Sequence, residues 1–406
     1  MVILFTINKI IRKTFFTVSN YLIVTFAFIT GVQVVACATL KYKTATFEYW
    51  IILILFIFVA VIADIAGWKF ANGVSIKGEY LKKQHKSIWM ERNNLKFDFL
   101  CMICVIYTLG KFFVLSGSLP NTYYIVQEEF QNQYAGGFNF YVRLLMMIAT
   151  VYYWGCSKVS KRNMIMGFLC LLPNILTFVK GIVFIPCLAS ILLRLKRGEL
   201  RISPKTGIII FTVGIGVFFG VYLIEMGIYK PEIVFDIDTY KFIISKLVDY
   251  LVAGVQSFSQ NISNNNGESF RTIDNVTLAP FINTFAKLGF GESIDTLSPI
   301  FQNFGYSSIR NIAVTSNVNT YIGSLFLYNG FLLGNLLNIF WVFITSFMDE
   351  IFDKNFDILT ALSALFCAAF ALGWFEYYFM HTFWIYLIII AFITSLFIKT
   401  KIAVKT

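Results

Sequence analysis

Apolar runs of about twenty residues, separated by short charged connections, recur along the whole chain and restrict where it can fold. Lipid offers no partner to a peptide group, so a segment that crosses a bilayer must satisfy its backbone internally, as a helix. Runs of this kind fall at 15–38, 50–70, 97–117, 138–156, 206–227, 320–346, 357–373 and 378–398. The stretch from Met164 to Leu195 is too long for one ordinary span. Pro173, Pro186 and the polar break Thr177-Phe178-Val179-Lys180-Gly181 divide it into two short spans. The expectation is an all-α polytopic membrane protein of about ten transmembrane helices. Composition agrees, with 58% hydrophobic and 14% charged residues, against roughly 25% charged in a soluble domain.

Lysine and arginine set the orientation. Most of the 33 fall in alternate connections: Lys9 to Lys13, Lys69 to Lys96, Lys158 to Arg162, Arg194 to Lys205, Lys354 and Lys399 to Lys405. The first opposite connection holds Lys41 and Lys43, and the next, between Ser118 and Gly137, holds none. Cytoplasmic loops carry the positive excess, which places both termini in the cytoplasm. The net charge of +11 therefore reads as a topology signal, and no nucleic-acid partner is expected. The chain divides into a bundle of about seven helices (1–227), a large extracytoplasmic loop (228–319) and about three further helices (320–406).

That loop is far longer than a usual connection, which marks it as a binding or lid region. In Lys241–Phe258 an apolar stripe of Ile244, Leu247, Val248, Leu251, Val252 and Val255 recurs at helical spacing. Leu278–Leu288 repeats the pattern more briefly. Both are expected as amphipathic helices on the membrane surface. Between them Asn261–Asp274 is a polar, Gly-containing loop able to reach a sugar.

Three cations depart from the topology pattern: Lys111 about two turns from the outer end of the third span, Arg143 near the outer end of the fourth, and Lys180 at the helix break. A charge in an apolar span is a functional hypothesis by default, with snorkelling to headgroups as the plainer account. An outer-leaflet site for an anion such as a lipid phosphate would explain all three. Asp64, in the inner half of the second span, points instead toward a transport path. The seven cysteines lie in or beside apolar runs and form no disulfide framework. The two histidines and the absence of nucleotide-binding, zinc-protease and serine-esterase motifs exclude those chemistries, and no metal or cofactor is expected.

Three segments carry a family likeness. Ser316-Asn-Val-Asn-Thr-Tyr-Ile-Gly-Ser-Leu-Phe-Leu-Tyr-Asn-Gly-Phe-Leu-Leu-Gly334 resembles the stretch that opens a late membrane helix in bacterial O-antigen and capsule repeat-unit polymerases. Asp249–Phe258 resembles the helix that begins their large periplasmic loop, and Thr177–Leu193 resembles the broken helix they share with O-antigen ligases. The resemblance implies a GT-C-like, inverting, metal-independent glycosyltransferase of the inner membrane. It would act on donor and acceptor oligosaccharides linked to undecaprenyl pyrophosphate, alongside a chain-length regulator and a flippase. Arg143, Lys180, Arg271, Arg310 and Lys111 then become candidates to hold pyrophosphate. Glu268, Asp274 and His381, together with Glu376, become candidates for the base that serves the acceptor hydroxyl. Phe270, Tyr306 and Tyr321 are candidates to stack on sugar rings. Lys180 stands where the family has arginine, and Asn329 where it has aspartate, so Asn329 carries no charge role. A flippase or transporter and an O-antigen ligase are the alternative readings.

Overall fold

The computed structural model describes residues 1–40, 42–75, 88–119, 125, 128–157, 159–201, 203–229, 236–272, 275–296, 300–307, 312–352 and 357–399. The chain opens with α1 (Val2–Arg12), α2 (Val18–Leu40), α3 (Phe47–Ser75) and α4 (Ile88–Gly117). Next come α5 (Glu128–Ala135), α6 (Phe138–Val151) with a π-helical turn at Tyr152–Cys156, α7 (Lys161–Ile175), α8 (Lys180–Lys196) and α9 (Pro204–Tyr229). The long connection folds as α10 (Ile237–Ser263), α11 (Gly267–Thr272), α12 (Ala279–Lys287) and a hairpin of β1 (Gln302–Ser307) and β2 (Ile312–Ser316). Helices α13 (Tyr321–Phe352), α14 (Ile358–Ala371) and α15 (Phe383–Lys399) complete it.

Each apolar run read from the sequence coincides with a helix. Five helices are long and apolar enough to cross a membrane, at Val18–Thr39, Phe47–Val74, Leu95–Gly117, Ile237–Ser263 and Tyr321–Phe352, among the described residues. Ile358–Ala371 and Phe383–Ile398 are shorter apolar helices. The division of the 164–195 run holds: α7 ends at Ile175, Phe178 takes a left-handed φ of 55°, and α8 begins at Lys180.

Three features depart from the sequence expectation. Helix α10 is 27 residues long, reaching past the amphipathic stripe at both ends. Asp236 starts it by accepting from the Asp238 amide. Its last turns bury Gln256, Ser257, Ser259, Gln260 and Asn261, so polar side chains there face protein instead of water. The antiparallel hairpin pairs Gln302 with Ser316 and Ser307 with Ile312, with an irregularity between Asn303 and Gly305. The polar loop is also shorter than expected, because α11 orders Gly267–Thr272.

By internal contacts the chain forms two units. The first comprises Met1–Phe70, Asp236–Met348 and Ala369–Ile385; the second comprises Ala71–Phe235, Asp349–Ala368 and Tyr386–Thr406.

In the first unit, α1 inverts the usual amphipathic order. Its Asn8 and Arg12 are buried while Val2, Ile3 and Ile10 are exposed. The buried pair serves Asp64, which is fully buried on α3. Asp64 accepts from Arg12 Nη1 at 2.5 Å, Asn8 Nδ2 at 3.0 Å, Ser19 Oγ at 2.6 Å and Ser346 Oγ at 2.7 Å. The Ser19 backbone amide adds a further bond at 3.1 Å. A carboxylate out of water is tolerated only when paired and hydrogen-bonded, and this one ties α1, α2, α3 and α13 together. Asp64→Ala strands the Arg12 guanidinium and is expected to cost about 3–5 kcal/mol. Thermal unfolding of the purified protein in detergent reads the loss, and an unchanged transition would contradict this role.

Candidate functional site

The first unit holds a small, partly open pocket lined by Val276, Thr296, Asn317, Val318, Asn319, Ser324, Tyr328, Glu376 and Met380. Four parts of the chain converge on it. Val276 comes from the turn before α12, and Thr296 from the segment before the hairpin. Asn317 to Tyr328 come from the exit of β2 and the opening of α13, and Glu376 and Met380 from the connection between α14 and α15.

Among the described residues, Glu376 is the only charged side chain of the lining. Its neighbours fix it. Phe375 stacks on Tyr250 of α10, ring centroids 5.4 Å apart. Gly254, one turn along α10, admits the Phe375 carbonyl so closely that a Cβ there would lie 2.3 Å from it. On the other side Tyr377 is buried and donates to the Thr277 carbonyl at 3.3 Å. Upstream, the Tyr321 amide donates to the Gly373 carbonyl at 2.6 Å. The carboxylate itself makes no hydrogen bond or ion pair among the described residues. Burial therefore pushes it up to about 7, since the charged form loses water without gaining a donor.

The rest of the polar lining is neutral and hydrogen-bonding. Asn319 accepts through Oδ1 from Ser257 Oγ at 3.2 Å and from Asn261 Nδ2 at 3.2 Å, which leaves its amide nitrogen to offer the pocket. Thr296, Asn317, Ser324 and Tyr328 add hydroxyl and amide groups. Such a wall suits a polyhydroxylated ligand better than an ion.

Arg271 and Asn329 support this wall. Phe270 packs edge-on against Tyr328, with centroids 5.0 Å apart, and its neighbour Arg271 reaches α13 where that helix breaks. Gly330 has φ 69° and ψ −169°, and a Cβ there would sit 3.2 Å from Arg271 Nη2. Only glycine meets both demands at low cost. Asn329 donates to Thr277 Oγ1 at 2.8 Å and accepts from Asn275 Nδ2 at 2.8 Å. That paired role needs an amide, because an ionised aspartate would only accept.

Of the residues singled out from the sequence, Glu376 lines the pocket and Arg271 lies behind its wall. Glu268 is exposed on α11. His381 stacks on Phe383 at 5.5 Å and is not part of the lining. Asp274 and Arg310 lie outside the described residues, as do the side chains of Lys180 and Tyr306. Tyr321 is buried against Tyr377 and Phe370, so it packs the core and does not present a ring to a ligand. Lys111 and Arg143 belong to the second unit, where both reach the turn between α5 and α6. Asn317, Asn319, Ser324 and Tyr328 were not singled out, although all four lie within the segment 316–334 that carries the family likeness. Thr296 has no sequence signal.

Glu376 has a consequence for stability. A carboxyl raised from 4.5 to about 7 by folding favours the folded state while protonated. The penalty for charging it therefore grows as pH rises from about 4.5 and is complete above about 7. Glu376→Gln is expected to be the more stable protein at pH 8, by up to about 3 kcal/mol, and to lose that advantage near pH 4.5. Unfolding temperatures of both proteins across this range check it.

No curated protein and no solved structure matches the chain. A model of a family of unknown function, DUF6337, matches residues 42–404, and the chain belongs to that family.

Proposed function

We propose that this protein is a membrane-embedded glycosyltransferase of the GT-C-like kind. In this reading it polymerises oligosaccharide repeat units carried on undecaprenyl pyrophosphate, at the outer face of a bacterial cytoplasmic membrane, with both termini inside. The observation that carries the reading is the unpaired Glu376 carboxylate in a lining of amides and hydroxyls. A base near neutrality beside a polar, hydrogen-bonding pocket is what transfer to a sugar hydroxyl requires.

Glu376 takes the proton of the acceptor hydroxyl as that oxygen attacks the anomeric carbon of the donor. The new glycosidic C–O bond forms as the bond from that carbon to the pyrophosphate oxygen breaks, and the configuration inverts. The pyrophosphate leaves with the bonding pair, and cationic side chains stabilise the charge that develops on it. Arg271, whose neighbour Phe270 packs on Tyr328 of the pocket, takes this role first. Arg310 remains its partner by family likeness. The amide of Asn319 and the hydroxyls of Thr296, Ser324 and Tyr328 orient the acceptor ring.

Deletion of the gene in its own strain, read as surface polysaccharide on a gel, tests this. The expected phenotype is a single repeat unit in place of the ladder, restored by the wild-type gene but not by Glu376→Gln or Arg271→Ala. General-base loss costs about 10²- to 10⁴-fold in rate, enough to erase the ladder. A product with no repeat unit at all would favour a flippase or ligase, and full rescue by Glu376→Gln would remove Glu376 from the chemistry.

A further inference from the structure

The second unit contains a pair of cations for which the reading above has no need. Lys111 on α4 donates through Nζ to the carbonyls of Tyr134 at 3.1 Å and Gly136 at 3.0 Å. Arg143 on α6, 5% exposed, donates through Nη1 to the carbonyl of the intervening Ala135 at 3.4 Å. Three successive carbonyls thus hold two like charges side by side. They are the carbonyls that end α5, where a helix leaves acceptors unsatisfied, which explains why cations collect there. It does not explain how two charges are balanced.

The polar side chains bonded around this turn are neutral among the described residues. Asn139 donates to the Tyr134 carbonyl at 2.6 Å, and the Tyr134 hydroxyl donates to the Pro173 carbonyl at 3.1 Å. Asn174 donates to the Arg143 carbonyl at 3.3 Å. No carboxylate pairs with Lys111 or Arg143 among the described residues. Arg143 Nε is buried with no acceptor, and Lys111 has used two of its three protons. Adjacent like charges repel strongly where water is scarce, and a buried charge without a partner is costly. The donors left over, one on Lys111 and four on Arg143 with the buried Nε among them, suit the oxygens of a single tetrahedral anion.

We propose that Lys111 and Arg143 form a binding site for a phosphate group, separate from the pocket of the first unit. The group belongs either to a phospholipid headgroup, since α4 is apolar enough to lie in the membrane, or to a free phosphate or pyrophosphate. The site rests on its own geometry and stands whether or not the chain transfers sugars.

The test reads binding, not turnover. Full-length protein purified in phosphate-free buffer is titrated calorimetrically with inorganic phosphate and with pyrophosphate. In parallel, protein in nanodiscs of phosphatidylglycerol and phosphatidylcholine is examined by native mass spectrometry for a retained lipid. The expected result is binding in at least one arm, weakened tenfold or more in Lys111→Gln, a change at a half-exposed position. Loss in the calorimetric arm identifies a free anion; loss of a retained lipid identifies a headgroup. If Lys111→Gln does not fold, Arg143→Lys serves, because it keeps the charge but not the fork, and it should bind several-fold more weakly. Wild-type protein that binds in neither arm overturns the proposal. So does a folded variant that binds as tightly as wild type.

Discussion

A charge placed in an apolar interior must find a partner, and each ionisable group in this protein is legible by how it meets that demand. Asp64 meets it fully, with Arg12, Asn8, Ser19 and Ser346 around it. The result is a knot that joins the N-terminal helix to α3 and α13 within the first unit. Asp64 is thereby taken up in structure, although its position in the sequence pointed toward a transport path. Breaking one partner of such a set costs more than the set contributes, because the remaining charge has nowhere to go.

Glu376 stands at the other extreme. Its connection is clamped by Gly254, Tyr250 and Tyr377, yet its carboxylate is left without a donor, and burial holds it at about 7. A scaffold that fixes the backbone on both sides of a group and leaves the group itself unsatisfied has spent stability at that point. Sites of this kind are where reactivity is found. The neutral amides and hydroxyls of the same lining supply orientation without a competing charge.

Much of the helical layout was readable because lipid imposes a simple rule on sequence: long apolar runs, with breaks at proline and lysine. The Thr177–Gly181 break separates α7 from α8 for this reason, whereas Pro173 and Pro186 lie inside the two helices. What the rule cannot express is partnership across the chain. Arg12 and Asp64 lie 52 residues apart, and neither position announces the other. The apolar stripe of Lys241–Phe258 reads as a surface helix, but α10 runs on to Ser263 and its polar Gln256, Ser257 and Asn261 are buried, with Ser257 and Asn261 bonded to Asn319 and Gln256 to the Lys43 carbonyl. The hairpin at 302–316 depends on register between two short strands and gave no strong periodicity. In the site, Glu376 was one carboxylate among several facing the same side. Only the fold brings it against Asn319 and Thr296, residues from distant parts of the chain.

The central claim is that the pocket joins sugars. Purified protein reconstituted in liposomes with undecaprenyl-pyrophosphate-linked repeat units, its products resolved by mass spectrometry, tests this most directly. The account predicts lipid-linked oligomers that grow by whole repeat units as free undecaprenyl pyrophosphate accumulates. Substrate recovered unchanged, or merely moved to the other leaflet, would contradict it.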